Sequence, residues 1–349
     1  MIKTRVYKAE ELNNESVQKD IKDTILSGQV IVFPTETVYG IGASALNEKG
    51  VQNIYRVKGR PNDNPLIMHI SSKEDIGVYT KNHQPYVDAL IQAFWPGPMT
   101  LVMEKKDIVP DVITGGLDTV GIRYPSNDVA LKLIDVAGVP ICAPSANISG
   151  RPSSTLFEHV YEDFNHKVPI IIDGGKSDVG LESTVIDVTT QVPVILRPGM
   201  ITKSMVEAIV PHVEISTFIA REDIPKAPGM KYKHYAPKGR LMIVSGDLER
   251  VKHYIQKKIQ EHQRHDKKVG VIVTQDIKDT FDCDKVFVIG DLNDELMIAS
   301  NLFAGLREMD SAEVDYIYCL SFEKGLYGEA IMNRLLKAAN HNIVYLEKK

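Results

Sequence analysis

The chain is poor in cysteine. Three occur in 349 residues, Cys142, Cys283 and Cys319, far apart and odd in number. That argues against a disulfide framework, and no CxxC pair suggests a zinc site. All three lie in apolar or turn-like surroundings, which reads as reduced, mostly buried thiols of a cytoplasmic protein. Long hydrophobic runs are also missing. No apolar stretch approaches the ~20 residues of a membrane-spanning helix. The opening MIKTRVYKAEELNN lacks the apolar centre of a signal peptide. Nor is there an excess of positive charge: 41 Lys and Arg face 46 Asp and Glu, a net charge of −5. Residues 1–210 hold 20 cations and 25 anions, and the rest hold 21 of each. Broad nucleic-acid binding needs a strongly basic surface, so it is not expected here. An anion site in the first part must be built from a few well-placed cations. GxxxxGK[ST] and HExxH are absent too, which removes a Walker-type phosphate loop and the helical zinc pattern.

What is present is an ordinary globular composition, 43% hydrophobic and 25% charged, at a length that suggests about two domains. SVQKDIKDTILSG (Ser16–Gly28) has a Ser cap, helical periodicity and a terminal Gly. QVIVF, NPLIMHI, MTLVM, TVGIRY, GVPICA, VPIIID, STVIDVT and PVILR read as strands. EKGVQNIYRVK, QPYVDALIQAF and DVALKLIDVAG read as helices between some of them. The later strands crowd together without helices, which predicts an α/β domain with a twisted mixed sheet over residues 1–210. After Pro237 strands and helices alternate regularly. Residues 240–349 therefore read as a smaller Rossmann-like α/β domain with a mainly parallel sheet. Residues 211–239 link the two. They contain PGMKYKHYAP, which carries two tyrosines, two lysines and a histidine between prolines.

Loops at strand ends are where α/β folds bind ligands. VFPTETVYG places Thr35, Glu36, Thr37 and Tyr39 past a buried strand. The GxGxxA at Gly40–Ala45 does not directly follow that strand or open a helix, so it is not read as a dinucleotide fingerprint. KGRPNDN offers Lys58 and Arg60 beside a rigid turn, a clamp for phosphate or carboxylate. His69 lies in the following strand, where a satisfied core histidine is the commoner role. Thr119 and Arg123 share one face of TVGIR, and an Arg inside an apolar strand needs an anion or carbonyl partner. APSANISGRPSS presents Ser145, Asn147, Arg151 and Ser153, while LEST and LRPG present Ser183, Thr184 and Arg197. His262 and His265 are spaced for one helix face, but the charges around them indicate a solvated helix. Together these residues suggest a composite pocket for a phosphorylated ligand.

FPTETVYG, IYRVKGRPNDNPLIMHI, WPGPMTL, GLDTVGIRYP, APSANISGRPS, GLESTVID and LRPG, in this order, resemble the YrdC-like domain of threonylcarbamoyl-AMP synthases. PGMKYKHYAP followed by a small α/β domain, with NLFAGLREMD and GEAIMNRLLKAA, is similar to the long two-domain form. The resemblance covers nearly the whole chain. It implies an ATP-dependent nucleotidyl transfer in which L-threonine, bicarbonate (or CO2) and ATP give L-threonylcarbamoyladenylate and pyrophosphate. The product is the donor for threonylcarbamoylation of the adenosine beside the anticodon in tRNAs reading ANN codons. Partner proteins perform the transfer, and little or no direct tRNA binding is expected. Implied ATP contacts are Arg60, Asn64, Thr119, Ser145, Ser153, Arg197 and Tyr232, with Lys58 a further phosphate contact; Lys58 and Arg60 are the expected catalytic cations. Implied threonine contacts are Thr37, His69, Arg123, Ser183 and the backbone of Ala143. Mg2+ is expected with the nucleotide, and no protein metal ligand is identified. PGMKYKHYAP is expected to act as a lid, with Tyr232 over the nucleotide. Two positions depart from the family pattern: Ser154 stands in place of Pro, and Met99 in place of Leu. An RNA-binding module and a carbamoyl transferase are the rival readings. The acidic first part argues against the former, and missing zinc-finger and acylphosphatase-like parts argue against the latter.

Overall fold

The computed structural model describes residues 2–62, 64–216 and 235–346. The chain separates into two compact units. The first comprises Met1–Ser149, Ser153–Asp178 and Glu182–Tyr232; the second comprises Gly150–Pro152, Val179–Leu181 and Lys233–Lys349.

The first unit is built on an eleven-stranded mixed sheet. From edge to edge the strands are Arg5–Lys8, Ile170–Asp173, Ile31–Phe33, Gly40–Ser44, Ile141–Cys142, Ile67–His69, Thr119–Arg123, Met99–Glu104, Thr184–Asp187, Val194–Arg197 and Glu214–Ile215. Side chains alternate between faces along each strand. Val32 and Ile171 join one core, while Ile31, Phe33, Ile170 and Ile172 join another. The helices Glu48–Lys58 and Tyr86–Phe94 bury Val51, Ile54, Leu90 and Ile91 in the first core. The helices Glu15–Leu26 and Asp128–Ala137 bury Ile21, Ile25, Leu133 and Ile134 in the second.

One local expectation changes. The first helix begins at Glu15, and its cap is Asn14, whose side chain accepts from the Ser16 amide. Asn caps as well as Ser does, so the motif alone could not choose. The GxGxxA segment is a strand, Gly40–Ser44, buried along its whole length. A Cβ on Gly42 would lie 2.5 Å from Ile141 Cγ2 and 2.8 Å from the Phe33 ring. Glycine is present because neighbouring strands and a ring pack against the backbone there.

The second unit carries a five-stranded sheet in the order Lys285–Gly290, Val269–Thr274, Tyr316–Leu320, Arg240–Gly246, Ile343–Leu346. Every pairing is parallel. The central strands VGVIVT and YIYCL are almost wholly buried, as expected where helices cover both faces. Helix Leu248–Gln263 contributes Val251, Ile255 and Ile259, and helix Glu295–Ser311 contributes Ile298, Leu302, Phe303 and Leu306. Arg307 on that second helix is 2% exposed, and its guanidinium donates twice to the Pro152 carbonyl, at 2.9 and 3.1 Å. Tyr235, from the end of PGMKYKHYAP, packs on Phe303 with ring centroids 5.0 Å apart. Tyr232 and the other residues of the expected lid before Tyr235 lie outside the described residues.

His262 stacks on Tyr316 at 3.6 Å and bonds the Tyr318 hydroxyl at 2.9 Å. His265 turns to the Glu261 carbonyl instead. No helix among the described residues is long and apolar enough to cross a membrane.

Candidate active site

One rung of the large sheet gathers the polar side chains. His69 pairs with Arg123 in parallel register, Arg123 pairs with Thr100 antiparallel, and Thr100 pairs with Val185. Directly paired residues point to the same side of a sheet. Val120 and Ile122, which alternate with Thr119 and Arg123, are committed to the hydrophobic core. The opposite face therefore carries His69, Arg123, Thr100 and Thr119. Between Thr119 and Arg123 on that strand sits Gly121. A Cβ there would approach only Thr100 Cγ2 at 3.3 Å and Ile67 Cγ1 at 3.6 Å, so this face has a low floor.

Arg123 is 4% exposed. Its Nη1 donates to Thr37 Oγ1 at 2.9 Å, and its Nη2 lies 2.8 Å from Glu36 Oε2. The latter is a close charge contact without hydrogen-bond alignment. Glu36 is itself held by the Ser126 amide through Oε1 at 3.2 Å. Thr35 Oγ1 sits 2.9 Å from Thr37 Oγ1 and donates to the Val38 carbonyl. The TET turn thus delivers one acceptor and one counter-charge to a buried guanidinium. The Arg123 Nε and the His69 Nδ1 have no hydrogen-bond partner among the described residues. Burial, and after it the nearby Arg123 charge, hold the His69 imidazole down at about 3. At neutral pH it is an uncharged ring that can donate from one nitrogen and accept at the other.

Ser183 adjoins this rung. Its hydroxyl lies 2.7 Å from Thr100 Oγ1 and accepts from Arg197 Nη2 at 3.2 Å. Arg197 also grips the Ser183 carbonyl through Nε and Nη2, at 3.1 and 3.0 Å. The turn after Arg197 must pass close to the next strand. A Cβ on Gly199 would sit 2.5 Å from the Thr184 amide nitrogen.

The remaining candidates lie in neighbouring loops. Lys58 is 2% exposed, and its Nζ donates to the carbonyls of Ser145 and of Asn147, the latter at 2.7 Å. Ser145 Oγ bonds Asn147 Oδ1 at 2.6 Å. The lysine therefore fastens the APSAN loop to the end of its helix. Ala143, at the start of that loop, donates its amide to the Ile67 carbonyl at 2.9 Å. Arg60 leans on the Asn64 and Pro65 carbonyls at 3.3 and 3.4 Å. The Asn64 side chain is fully buried, yet neither its oxygen nor its nitrogen has a hydrogen-bond partner among the described residues. Ser153 Oγ bonds Glu182 Oε1 at 2.7 Å. Thr119 stands at the far end of its strand, four residues of rise from Arg123, or about 13 Å.

The structure thus joins Thr37, His69, Arg123, Ser183 and Arg197 through contacts and register. Lys58 and Ser145 form a second group, Arg60 and Asn64 a third, and Ser153 stands with Glu182. Sequence reading gave no role to Thr100 or Glu182, and gave Glu36 only a place among the polar residues of a strand-end loop. Thr100 is hidden in an apolar strand and Glu182 in a glycine-led turn. Met99 is fully buried, and the Trp95 Nε1 donates to its carbonyl at 2.7 Å; Met for Leu is a volume-conserving exchange. The Ser154 carbonyl accepts from the Tyr39 amide at 2.9 Å. Among the described residues no group of three or more His, Cys, Asp or Glu is placed to hold a metal ion.

Comparison with known proteins bears on this geometry. The family model "Telomere recombination", covering Sua5, YciO and YrdC, matches residues 23–199. A second model, "Threonylcarbamoyl-AMP synthase, C-terminal domain", matches residues 201–340. The threonylcarbamoyl-AMP synthase of Pyrococcus abyssi is 47% identical over 322 residues, covering 92% of this chain and 93% of that protein. That of Bacillus subtilis is 42% identical, covering 90% and 91%. The crystal structure of Pyrococcus abyssi Sua5 complexed with L-threonine superposes with a TM-score of 0.90 at 43% identity, over 99% of each chain. The chain belongs to the threonylcarbamoyl-AMP synthase family.

Proposed function

We propose that this protein condenses L-threonine, bicarbonate or CO2, and ATP into L-threonylcarbamoyladenylate, releasing pyrophosphate. The observation that carries the reading is the rung of His69, Arg123 and Thr100 with Ser183 beside it. It is a buried surface with one fixed cation, a neutral imidazole and two hydroxyls, suited to a small hydroxylated amino acid. Arg123 receives the carboxylate. His69, Thr37 and Ser183 supply neutral hydrogen bonds, and the Ala143 backbone closes one side.

The threonine nitrogen first bonds to the carbon of CO2 and loses a proton. A carbamate oxygen then bonds to the α-phosphorus, and the bond from that phosphorus to the bridging oxygen of pyrophosphate breaks. Such a step needs positioning and charge stabilisation more than a nucleophilic side chain. Arg60, Asn64, Thr119, Ser145, Ser153 and Arg197 are assigned to ATP. Lys58 serves by fixing the loop of Ser145 and Asn147 and by adding positive charge beside the phosphates. Tyr232 is assigned to the nucleotide on family resemblance alone. Mg2+ arrives with the ATP phosphates, whose oxygens suit it. The adenylate then passes to proteins that modify tRNA, and the reaction belongs in the cytoplasm.

The test incubates purified protein with ATP, Mg2+ and bicarbonate and adds each amino acid in turn. Pyrophosphate release that depends on threonine and bicarbonate is the expected result. Release with no amino-acid preference, or none at all, overturns the reading.

A further inference from the structure

We infer that Glu36 is a positioning residue that sets the affinity for the amino-acid substrate by holding the Arg123 fork. The inference rests on reading the Arg123 rung as the threonine site. Three observations carry it. The Glu36 and Arg123 side chains are only 6% and 5% exposed, and their charged atoms lie 2.8 Å apart. Glu36 is not loose: its second oxygen is fixed by the Ser126 amide. The other Arg123 side-chain contact among the described residues, to Thr37 Oγ1, comes from the very next residue of the same turn.

The TET turn therefore acts as a two-point vise on one edge of the guanidinium. Glu36 holds Nη2 by charge, and Thr37 holds Nη1 by an aligned hydrogen bond. Because the Glu36 contact is not an aligned hydrogen bond, the guanidinium keeps donor capacity. The Nε–H, also without a partner among the described residues, completes a donor edge for a carboxylate. A buried cation with no counter-charge moves toward whatever acceptor it can reach. Glu36 prevents that movement, so its effect appears in amino-acid binding and not in the phosphate chemistry.

Threonine-dependent pyrophosphate release by Glu36→Gln and Glu36→Asp tests this. Glu36→Gln keeps the shape and the acceptor for Ser126 but removes the charge. A roughly tenfold or greater rise in KM for threonine is expected, with kcat within about threefold and KM for ATP within about twofold. Glu36→Asp keeps the charge on a shorter arm, and its threonine KM should fall between wild type and Glu36→Gln. Thermal melts accompany both variants. If Glu36→Gln does not fold, the Glu36→Asp threonine KM against its ATP KM decides alone. An unchanged threonine KM in a folded variant overturns the proposal. So does a lowered KM, which would make Glu36 a competitor of the substrate carboxylate. So does a parallel loss in both KM values and kcat, the mark of a purely structural role. Wild-type protein reports separately on the synthase reading: no threonine-dependent release there removes that reading, whereas a working wild type with unaltered Glu36 variants removes only this one.

Discussion

The two sheets carry their buried polar residues in different places. In the five-stranded sheet the central strands are apolar, and the buried ionic groups Arg307, Asp310 and Arg334 sit on helices. In the unit of the eleven-stranded sheet some also sit on helices and turns, as Lys58 and Glu36 do, but others stand on the strands themselves. His69, Arg123 and Arg197 are all strand residues, each at most 4% exposed. A helix can direct a long side chain past its neighbours to a distant partner, as Arg307 does toward the Pro152 carbonyl. A strand residue has little such freedom, because register fixes what faces it. Charges inside strands are costly to keep unless their partners are built in. The first sheet tolerates Arg123 and Arg197 beside the uncharged His69, together with polar atoms that have no hydrogen-bond partner among the described residues. No strand of the second sheet carries a buried charged residue among the described residues.

The strongest test of that contrast is Arg123→Ala. It strands Glu36 in a buried place without its counter-charge, and breaking such a pair costs about 3–5 kcal/mol. Denaturant unfolding should show that loss, and threonine-dependent pyrophosphate release should fall by about a hundredfold or more. The next test is acid. His69 has an imidazole held at about 3 against an ordinary 6.5. Its folded form is depressed, so the unfolded chain binds the extra proton as pH drops. The associated stability is fully present above pH 6.5 and is lost progressively as pH falls toward 3. Melting temperatures taken between pH 7 and 4 should therefore decline less for His69→Asn than for wild type. An equal decline would mean that His69 is not held neutral by its surroundings.

Thr100→Val is milder. It removes one hydroxyl next to Ser183 while leaving that serine its bond from Arg197, at a cost of about 1–2 kcal/mol. About a tenfold loss in kcat/KM for threonine is expected. The smallest effect belongs to the second unit. Ile255→Val, in the core of the second unit, should cost about 0.5–1.5 kcal/mol in unfolding and leave KM for threonine unchanged. A changed KM would break the distinction between the sheets.

Much of this was legible in the sequence, for definite reasons. Helix Glu48–Lys58 appears where EKGVQNIYRVK shows helical periodicity, and its Gly59 ends it in a left-handed conformation that glycine favours. Arg123 was visible as a charge inside an apolar strand, the kind of local inconsistency that marks a site. Other features were hidden. The strand Gly40–Ser44 is made of small residues without clear alternation, and its burial comes from Phe33 and Ile141 packing on it. The pairing of Glu36 with Arg123 was hidden because the two are 87 positions apart in the chain. Nothing local in the sequence reveals that the Lys58 ammonium donates to two loop carbonyls.

The rung of His69, Arg123 and Thr100 also works as a ruler. Neighbouring strands are spaced by backbone hydrogen bonds at about 4.8 Å, so three of them span about 10 Å whatever side chains they carry. The graduations of this scale are set by the peptide backbone, which substitutions do not stretch. Exchanging a rung residue alters how tightly a ligand of a given length is held. A longer amino acid is accommodated only if the loops beyond the strand ends are rebuilt.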